Sequence, residues 1–356
     1  MTGVAGFIGS NFVYYYLNKN PEREIIGLDK ITYAGNLENL NNLEKSNRER
    51  FSLVKGDIND YKLLKKIFSN NEIDGVINFA AESHVDKSIE NPSIFLETNI
   101  LGTQTLLNIC KKSWMKDEGY EENKKFLQIS TDEVYGSLGS EGYFTEESQL
   151  DPRSPYSASK ASADCIVKAY YHTYKFPMNI TRCSNNYGPY QFPEKLIPLM
   201  ISNALKHENL PVYGDGKQIR DWIYVDDHCK AIDLVYEKGK LGEVYNIGGY
   251  NERKNINVVK KIIEILNEIT NDDKINAELI KHVTDRLGHD RRYGIDPTKI
   301  KNELQWEHTL NFEQGLRKTI RWYLSNREWL ENIISKKYLS LNESLLKEFS
   351  KYIPKK

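Results

Sequence analysis

A tyrosine and a lysine four residues apart, in the segment Tyr156-Ser-Ala-Ser-Lys160, are the first side chains that could do acid–base chemistry. Residues with this spacing share one face of a helix, and a nearby ammonium group lowers the pKa of a phenol. Tyr156 is therefore a candidate general base. On most helices such a pair lies on the surface without a catalytic role, so its significance depends on the residues around it.

Two adjacent carboxylates, in Thr131-Asp132-Glu133, directly follow the short apolar run 126–130. Open α/β sheets bind their ligands at the carboxyl ends of parallel strands. The pair is thus a candidate acid and base, and a solvated pair of loop residues is the alternative. The presence of Tyr156 downstream favours the first interpretation.

A glycine-rich run, Gly3-Val-Ala-Gly6-Phe-Ile-Gly9, opens a predicted helix near the start of the chain. Such glycines permit a tight turn and let backbone N–H groups approach a pyrophosphate. Asp29 ends the next apolar run, where a carboxylate accepts hydrogen bonds from ribose hydroxyls and repels a 2′-phosphate. The pattern predicts a dinucleotide site that prefers NAD to NADP.

A strand should precede this glycine run, yet only Met1 and Thr2 do so. The first strand of the sheet is therefore expected to be missing. Either the chain is truncated or another segment fills the gap, and the pattern favours truncation. An upstream extension is then expected to raise NAD affinity and thermal stability.

Strand-like and helix-like segments alternate through the first half of the chain, which predicts a doubly wound parallel sheet of the Rossmann type with a smaller α/β substrate-binding lobe. The expected division is a dinucleotide-binding domain at 1–185, the lobe at 186–330, with some elements returning to the first domain, and a helical tail at 331–356. Predicted strands are 24–28, 51–54, 75–80, 126–130 and 178–182. Predicted helices are 7–18, 61–68, 99–112, 155–174, 195–206, 226–237, 257–269 and 312–324.

Composition narrows the class of protein. The 356 residues carry 49 Lys and Arg against 50 Asp and Glu, a net charge of −1, which argues against nucleic-acid or acidic-membrane partners. The sequence has no membrane-spanning run, no signal peptide and no cysteine or histidine spacing typical of a metal site. A soluble, cytoplasmic protein without a metal is expected.

The motifs together resemble the nucleotide-sugar branch of the extended short-chain dehydrogenase/reductase family, and within it the 4,6-dehydratases. The resemblance runs from Gly3 to about Trp329. It is carried by TGVAGFIG, LDKITYAGN, GDI, NFAAESHVDKS, STDEVYG, SPYSASKA, RCSNNYGPYQFPEKLIP, PVYGDGKQIRDWIYVDD, YNIGG and DRLGHDRRYGID. Lys87 departs from the arginine that is usual in the family.

The resemblance implies a catalytic set and a reaction. Tyr156 would take the proton of the C4 hydroxyl, with Thr131 on the C4 oxygen and Lys160 on the nicotinamide ribose. Glu133 would remove the C5 proton, and Asp132 would protonate the departing C6 hydroxyl. The implied activity is NAD-mediated dehydration of dTDP-linked glucose to its 4-keto-6-deoxy product, a step of deoxysugar synthesis.

The resemblance also implies binding residues. The cofactor set is Gly3, Gly6, Phe7, Ile8, Gly9, Asp29, Lys30, Thr32, Asp57, Ile58, Ala80, Ala81, Ser83, Thr98, Tyr156, Lys160 and Asn185. The substrate set is Ser83, Thr131, Asn185, Lys195, Leu196, Pro211, Tyr213, Arg220, Asn255, Asp285, Arg286 and His289. A homodimer would form through a four-helix bundle of segments 99–112 and 155–174.

Rival interpretations remain at this stage. The same fold could act on a UDP-, CDP- or GDP-linked sugar, or epimerise at C4, although an epimerase has no need of the Asp132–Glu133 pair. A dehydrogenase that releases its reduced cofactor is a further alternative. A non-catalytic NAD-binding scaffold is the alternative from another class, favoured only by the missing strand.

Overall fold

Parallel strands form the main sheet, and shorter strands form a second lobe. The computed structural model describes residues 1–117, 119–285 and 287–349. Its strands are β1 (Ile25–Asp29), β2 (Phe51–Lys55), β3 (Gly75–Asn78), β4 (Met115–Lys116), β5 (Gly119–Tyr120), β6 (Lys125–Thr131), β7 (Met178–Cys183), β8 (Asn185–Tyr187), β9 (Leu210–Tyr213), β10 (Ile219–Arg220), β11 (Trp222–Tyr224), β12 (Val244–Ile247), β13 (Arg253–Lys254) and β14 (Ile280–Val283).

Helices flank these strands. They are α1 (Phe7–Lys19), α2 (Lys45–Glu49), α3 (Tyr61–Asn70), α4 (Val85–Glu90), α5 (Pro92–Phe95), α6 (Thr103–Trp114), α7 (Pro155–Tyr174), α8 (Leu196–Leu205), α9 (Val225–Lys238), α10 (Asn255–Thr270), α11 (Thr298–Leu304), α12 (Phe312–Ser325), α13 (Arg327–Ile334) and α14 (Tyr338–Phe349). A π-helix, Leu96–Gly102, joins α5 to α6, and short 3₁₀ turns include Leu37–Leu40 and Asp132–Tyr135. Among the described helices, none has the length and apolar content of a membrane span.

The main sheet is parallel throughout its paired strands, in the order β2-β1 and β3-β6-β7-β12. Met1 to Gly3 join these two groups. Thr2 forms parallel bridges to Leu28 and to Asn78, and its N–H donates to the Ile77 carbonyl. The resulting doubly wound sheet confirms the predicted fold class.

Among the described residues no regular strand precedes α1, as the sequence predicts, but Met1 to Gly3 partly take its place through isolated bridges. The Gly3 N–H donates to the Leu28 carbonyl over 2.9 Å, and the Leu28 N–H donates to the Met1 carbonyl over 2.8 Å. Three residues are too few for a periodic pattern to reveal a strand, but their backbone groups pair with both neighbours. Three bridging residues therefore stand where the first strand is expected, and truncation of the chain stays a prediction.

Apolar clusters lie on both faces of the main sheet. Helices α1 and α9 cover one face, where Phe12, Leu17 and Ile232 are buried. Helices α3, α6 and α7 cover the other face, and Phe126 and Phe176 are buried in that cluster. The sheet is buried on both faces, as its continuous apolar runs predict.

The second lobe has its own core, formed by α8, α10 and α12 around short strands. Strands β8 and β11 are parallel, as are β9 and β14, whereas β10 and β13 are antiparallel. Strand β12 returns to the main sheet beside β7. The division at residue 185 stays a prediction.

Several predicted elements have their expected bounds. Helix α7 begins and ends where the sequence predicts, because Pro155 occupies its first turn and Ser154 forms a capping box with Ser157. The predicted helix 99–112 differs, since helical structure begins at Pro92 and passes through the π-helix before α6. The extra residue of a π turn disturbs the 3.6-residue period on which the prediction rests.

A buried ion pair fastens α7 to β7. The Nε atom of Arg182 donates to Asp164 Oδ2 over 2.9 Å, and its Nη1 atom donates to the Tyr135 hydroxyl over 2.9 Å. The side chains of Arg182 and Asp164 are 2% and 1% exposed. Tyr135 in turn donates to Asn246 Oδ1, so the pair also links the turn that follows β6 to β12.

Arg182→Met should destabilise the protein strongly, because Asp164 would remain as a buried charge without its partner. A loss of about 3–5 kcal/mol is typical of this kind of break. Arg153→Met is the matched control, since Arg153 pairs with Asp151 at the surface, where a change of about 0–1 kcal/mol is usual. Urea unfolding of both variants provides the measurement, and equal shifts would contradict the structural role of the pair.

Candidate active site

A cavity of about 330 Å³ opens at the carboxyl ends of the main-sheet strands. It lies beside Met1 to Gly3, between the β2-β1 group and the β3-β6-β7-β12 group, where the direction of the strand order changes. Open α/β sheets bind their ligands at such a point. The predicted residues that line it are Gly3, Gly6, Phe7, Ile8, Gly9, Asp29, Lys30, Thr32, Asp57, Ile58, Ala80, Ala81, Ser83, Thr98, Thr131, Asp132, Glu133, Tyr156, Lys160, Asn185 and Lys195. The cavity thus brings the predicted catalytic and cofactor residues together.

The glycine run forms a cradle that side chains would fill. Gly3 has φ of +66°, and a Cβ there would lie 2.7 Å from the Ala80 nitrogen. A Cβ on Gly9 would lie 2.1 Å from the Gly3 carbonyl oxygen. Helix α1 begins just after Gly6 with no side-chain cap, so its first N–H groups face the cavity wall. These features fit a dinucleotide pyrophosphate.

Asp29 stands at the end of β1 beside this cradle. Its Oδ2 atom accepts from the Ala5 N–H over 2.9 Å, and its Oδ1 atom accepts from the Ile31 N–H over 2.7 Å. Burial raises the pKa of Asp29, and these two hydrogen bonds oppose that rise. Each oxygen keeps further acceptor capacity for ribose hydroxyls. Lys30 is paired with Asp57 at 2.7 Å, which balances its charge locally.

Thr131, Asp132 and Glu133 lie at the end of β6 and in the turn that follows it. Thr131 accepts from the Glu133 N–H and donates to Asp132 Oδ1, both over 3.3 Å. Asp132 is 2% exposed. Burial, then the charge of Glu133, raises the pKa of Asp132 well above its ordinary value. Burial at this position therefore favours the protonated form of Asp132.

Tyr156 and Lys160 lie one turn apart on α7 and both line the cavity. Lys160 donates to the Ile129 carbonyl over 2.7 Å, and burial lowers its pKa. Burial, then the charge of Glu133, raises the pKa of Tyr156 well above 10, and a hydrogen bond with Thr131 opposes the rise. In the protein alone, burial and the neighbouring carboxylate outweigh any lowering of the Tyr156 pKa by Lys160. The predicted lowering also counts the positive nicotinamide of bound NAD, and it stays a prediction.

Some of the predicted substrate residues lie outside this cavity, in the second lobe. They are Leu196, Pro211, Tyr213, Arg220, Asn255, Asp285 and His289, whereas Arg286 lies outside the described residues. Asp285 contacts His289 at 2.6 Å, and the ring of His289 packs edge-on against Tyr213. The charge of Arg220 lowers the pKa of Asp132 against burial, which places this arginine near the acid pair.

One predicted substrate residue connects the two parts of the molecule. Lys195 precedes α8, and its Nζ atom donates to the Ser83 carbonyl over 3.1 Å, across 112 positions of sequence. The cavity therefore has walls from both the main sheet and the lobe.

Sequence reasoning missed a further set of lining residues: Leu28, Ala34, Gly35, Gly56, Phe79, Glu82, Ile129, Ser130, Cys183, Ser184, Asn186, Gln191, Phe192 and Glu194. Most adjoin a predicted residue at a strand end, which is the signal that could have found them. Asn99 was also missed. It donates to Ser159 on α7 and to the Glu82 carbonyl, so it fastens two cavity walls together from the π-helix.

This fold and site define a class of nucleotide-sugar enzyme. The family model described as GDP-mannose 4,6 dehydratase matches residues 1–319. The chain belongs to this family, within the Rossmann-type short-chain dehydrogenase/reductase fold.

Individual relatives narrow the class. A protein of Xanthomonas campestris pv. campestris named dTDP-glucose 4,6-dehydratase is 50% identical over 341 residues, 95% of this chain and 96% of that protein. A dTDP-glucose 4,6-dehydratase from Bacillus anthracis, solved in complex with NAD, has a TM-score of 0.83 and 50% identity over 93% of this chain and 98% of its own. The Streptomyces venezuelae enzyme of that name, solved with NAD and TYD bound, has a TM-score of 0.83 and 44% identity over the same shares.

Asp29→Ala should weaken NAD binding and narrow the preference against NADP, because the carboxylate that excludes a 2′-phosphate would be gone. Hydrogen bonds to charged groups contribute about 1.5–3 kcal/mol, so a 10- to 100-fold rise in the Kd for NAD is the rough expectation. Calorimetric titration with both dinucleotides measures it. Asp74→Ala removes the same charge from the surface and is the control. An unchanged NAD/NADP ratio in Asp29→Ala would exclude Asp29 from the ribose site.

Proposed function

We propose that this chain is an NAD-dependent hydro-lyase that converts dTDP-glucose to dTDP-4-keto-6-deoxyglucose and water. Relatives with that name align over nearly the whole chain, and two solved ones hold NAD. The cradle of Gly3, Gly6 and Gly9, with Asp29 at the ribose position, supplies the cofactor site.

The observation that carries this proposal is the carboxylate pair inside the cavity. Asp132 is buried with a raised pKa, and Glu133 is its immediate neighbour. A carboxyl group whose protonated form is favoured by burial is suited to act as the acid, which leaves its neighbour Glu133 as the candidate base. A 4-epimerase moves only a hydride at C4, whereas a dehydratase must also remove a C5 proton and expel the C6 hydroxyl. The pair supports the second reaction.

Oxidation at C4 is assigned to Tyr156, with Thr131 and Lys160 as its supports. The cradle of Gly3, Gly6 and Gly9 with Asp29 would hold NAD, which would supply a hydride acceptor at C4 and a hydride donor at C6. Tyr156 takes the hydroxyl proton at C4 through its phenol oxygen, which the Thr131 hydroxyl orients. Lys160 is fixed by the Ile129 carbonyl on the same cavity wall. Its ammonium group favours the phenolate in a site that excludes water.

Elimination is assigned to the acid pair. The 4-ketone acidifies the C5 hydrogen, and Glu133 removes it as a proton. Asp132, whose protonated form burial favours, donates a proton to the departing C6 hydroxyl, which leaves as water. When C6 takes up hydride, Glu133 returns a proton to C5, so that the product regains its C5 hydrogen. Positioned groups of this kind contribute about 10²–10⁴-fold each.

Nucleotide recognition is assigned to the lobe residues beyond the cavity. Tyr213 is 41% exposed and offers a ring on which a base can stack. Arg220 and Lys195 offer cations for the diphosphate. Arg220 is oriented by the Asp290 carbonyl and lies over the Tyr293 ring, 4.2 Å from its centroid.

A homodimer is also part of the proposal. Leu96 and Leu101, which precede α6, are 45% and 54% exposed, and Tyr174 at the end of α7 is 40% exposed. Apolar side chains on two adjacent helices suit a four-helix bundle with a second copy. A cytoplasmic location is proposed because Cys110, Cys165, Cys183 and Cys229 are free thiols, which is usual in a reducing compartment.

Turnover of dTDP-, UDP-, CDP- and GDP-glucose, with alkaline detection of the 4-keto product, tests the substrate. The dTDP sugar should give the highest kcat/KM, and no reduced cofactor should accumulate in solution. A higher kcat/KM for a GDP- or UDP-linked sugar would show that the proposed nucleotide is wrong. Formation of a C4 epimer without 4-keto product would show that the proposed reaction is wrong.

Glu133→Gln should spare hydride transfer and block elimination, because the amide keeps the shape of the side chain but cannot accept the C5 proton. Under single turnover, the reduced cofactor should still form, and its near-ultraviolet absorbance should be detectable. Overall turnover should fall about 10²–10⁴-fold, and exchange of the C5 hydrogen with solvent deuterium should stop.

Tyr156→Phe is the matched comparison, since it should lose the reduced-cofactor signal and every later step. Wild-type C5 exchange in Glu133→Gln would refute its role as the base. So would a loss of hydride transfer as complete as that in Tyr156→Phe.

A further inference from the structure

The last two helices pack against the chain segment that follows the ribose-binding aspartate. The Tyr338 hydroxyl donates to the Tyr33 carbonyl over 2.8 Å. Asn342 accepts from the Leu37 N–H over 2.8 Å and donates to the Gly35 carbonyl over 2.9 Å. Helices α13 and α14 thus hold residues 33–43 from outside, and Gly35 in that segment lines the cofactor cavity.

A second set of contacts reaches the glycine cradle itself. The indole nitrogen of Trp329 donates to Asn39 Oδ1 over 2.9 Å, and Asn39 Nδ2 donates to the Ala5 carbonyl over 2.9 Å. The N–H of Ala5 donates to Asp29. Hydrogen bonds on either side of one residue, Ala5, therefore connect the tail to the carboxylate of Asp29. Trp329 and Asn39 are 7% and 2% exposed, so water competes little for these bonds.

The held segment has little regular structure, although Leu37, Leu40 and Leu43 are buried in the core beside α1. Its regular structure is the 3₁₀ turn Leu37–Leu40. Ile31, at its entrance, has φ of +55°, a left-handed conformation that is unfavourable for a β-branched side chain. Such a conformation persists only where the surroundings over-determine it. Without Asn342, the N–H of buried Leu37 and the carbonyl of Gly35 would lose their partners.

We propose that α13 and α14 position the adenosine wall of the cofactor site, so that NAD affinity depends on Trp329 and Asn342, which do not touch the cavity. The proposal rests on the assignment of NAD as the cofactor. Both residues are positioning residues, and the carboxylate pair and Tyr156 lie at the other end of the cavity. The tail should therefore affect cofactor binding and leave the chemistry unchanged.

The proposal is tested by titrating NAD-free full-length protein with NAD in a calorimeter and measuring the Kd for NAD. Asn342→Ala and Trp329→Phe should each raise the Kd for NAD about 10-fold or more. At saturating NAD, kcat and the KM for dTDP-glucose should stay within twofold of the wild-type values. Trp329→Phe keeps an aromatic ring in the packed site and removes the indole donor. It therefore keeps the test decisive if Asn342→Ala does not fold.

Trp322→Phe and Ser340→Ala are the matched controls. Trp322 packs 5.1 Å from the Trp329 ring, and among the described residues it has no hydrogen bond to segment 33–43. Ser340 is exposed on α14 and donates to the Lys337 carbonyl just before that helix. Neither change should move the Kd for NAD.

Two outcomes would overturn the proposal. One is an unchanged Kd for NAD in Trp329→Phe and Asn342→Ala, even if their thermal midpoints fall, which would make the tail merely structural. The other is a wild-type chain that does not bind NAD. Weakened NAD binding in both variants, together with a wild type that turns over none of the tested sugars, would uphold the tail's role and refute only the proposed substrate.

Discussion

The parallel pairing of β6 between β3 and β7 is the constraint on which the site depends. It brings the carboxyl ends of three buried strands to one edge, and β6 ends in Thr131 with the acid pair directly after it. The Ile129 carbonyl on β6 holds Lys160, and the Ser130 carbonyl accepts from the Cys183 thiol. A shift of β6 by one residue would turn its side chains to the opposite faces and separate the acid pair from α7.

Burial at this edge supplies the electrostatics. Asp132 and Glu133 are adjacent, so the charge of Glu133 opposes ionisation of the more buried Asp132 and, with burial, raises its pKa. The same charge on Glu133 raises the pKa of Tyr156, which needs to be lowered for base catalysis. A cation in the assembled site is therefore required to offset both burial and Glu133. In the proposed reaction, the positive nicotinamide and Lys160 have that role.

Sequence patterns predicted local structure well and long-range packing poorly. The bounds of α7 follow from Ser154 and Pro155, which act within one turn, and the cavity residues follow from motifs at strand ends. Pairing of Met1 to Gly3 inside the sheet was missed because three residues carry no period. The contact of Asn342 with Leu37 joins positions 305 apart, and no local pattern encodes it. Several lobe residues predicted for the substrate lie outside the cavity. A motif match can assign a residue to the substrate site, but it does not say how far that residue lies from the others.

In the proposed reaction the cofactor is regenerated within each cycle, which explains why helices α13 and α14 can support tight cofactor binding. A dehydrogenase must release reduced cofactor in each cycle, so every contact that holds the dinucleotide more tightly slows its turnover. In the proposed dehydration, the hydride that leaves C4 returns at C6, and the cofactor ends each cycle in its starting state. Tight retention then carries no kinetic penalty. Contacts such as Trp329–Asn39 and Asn342–Leu37 can then stabilise the binding wall without slowing the proposed reaction, because the cofactor does not have to leave in each cycle.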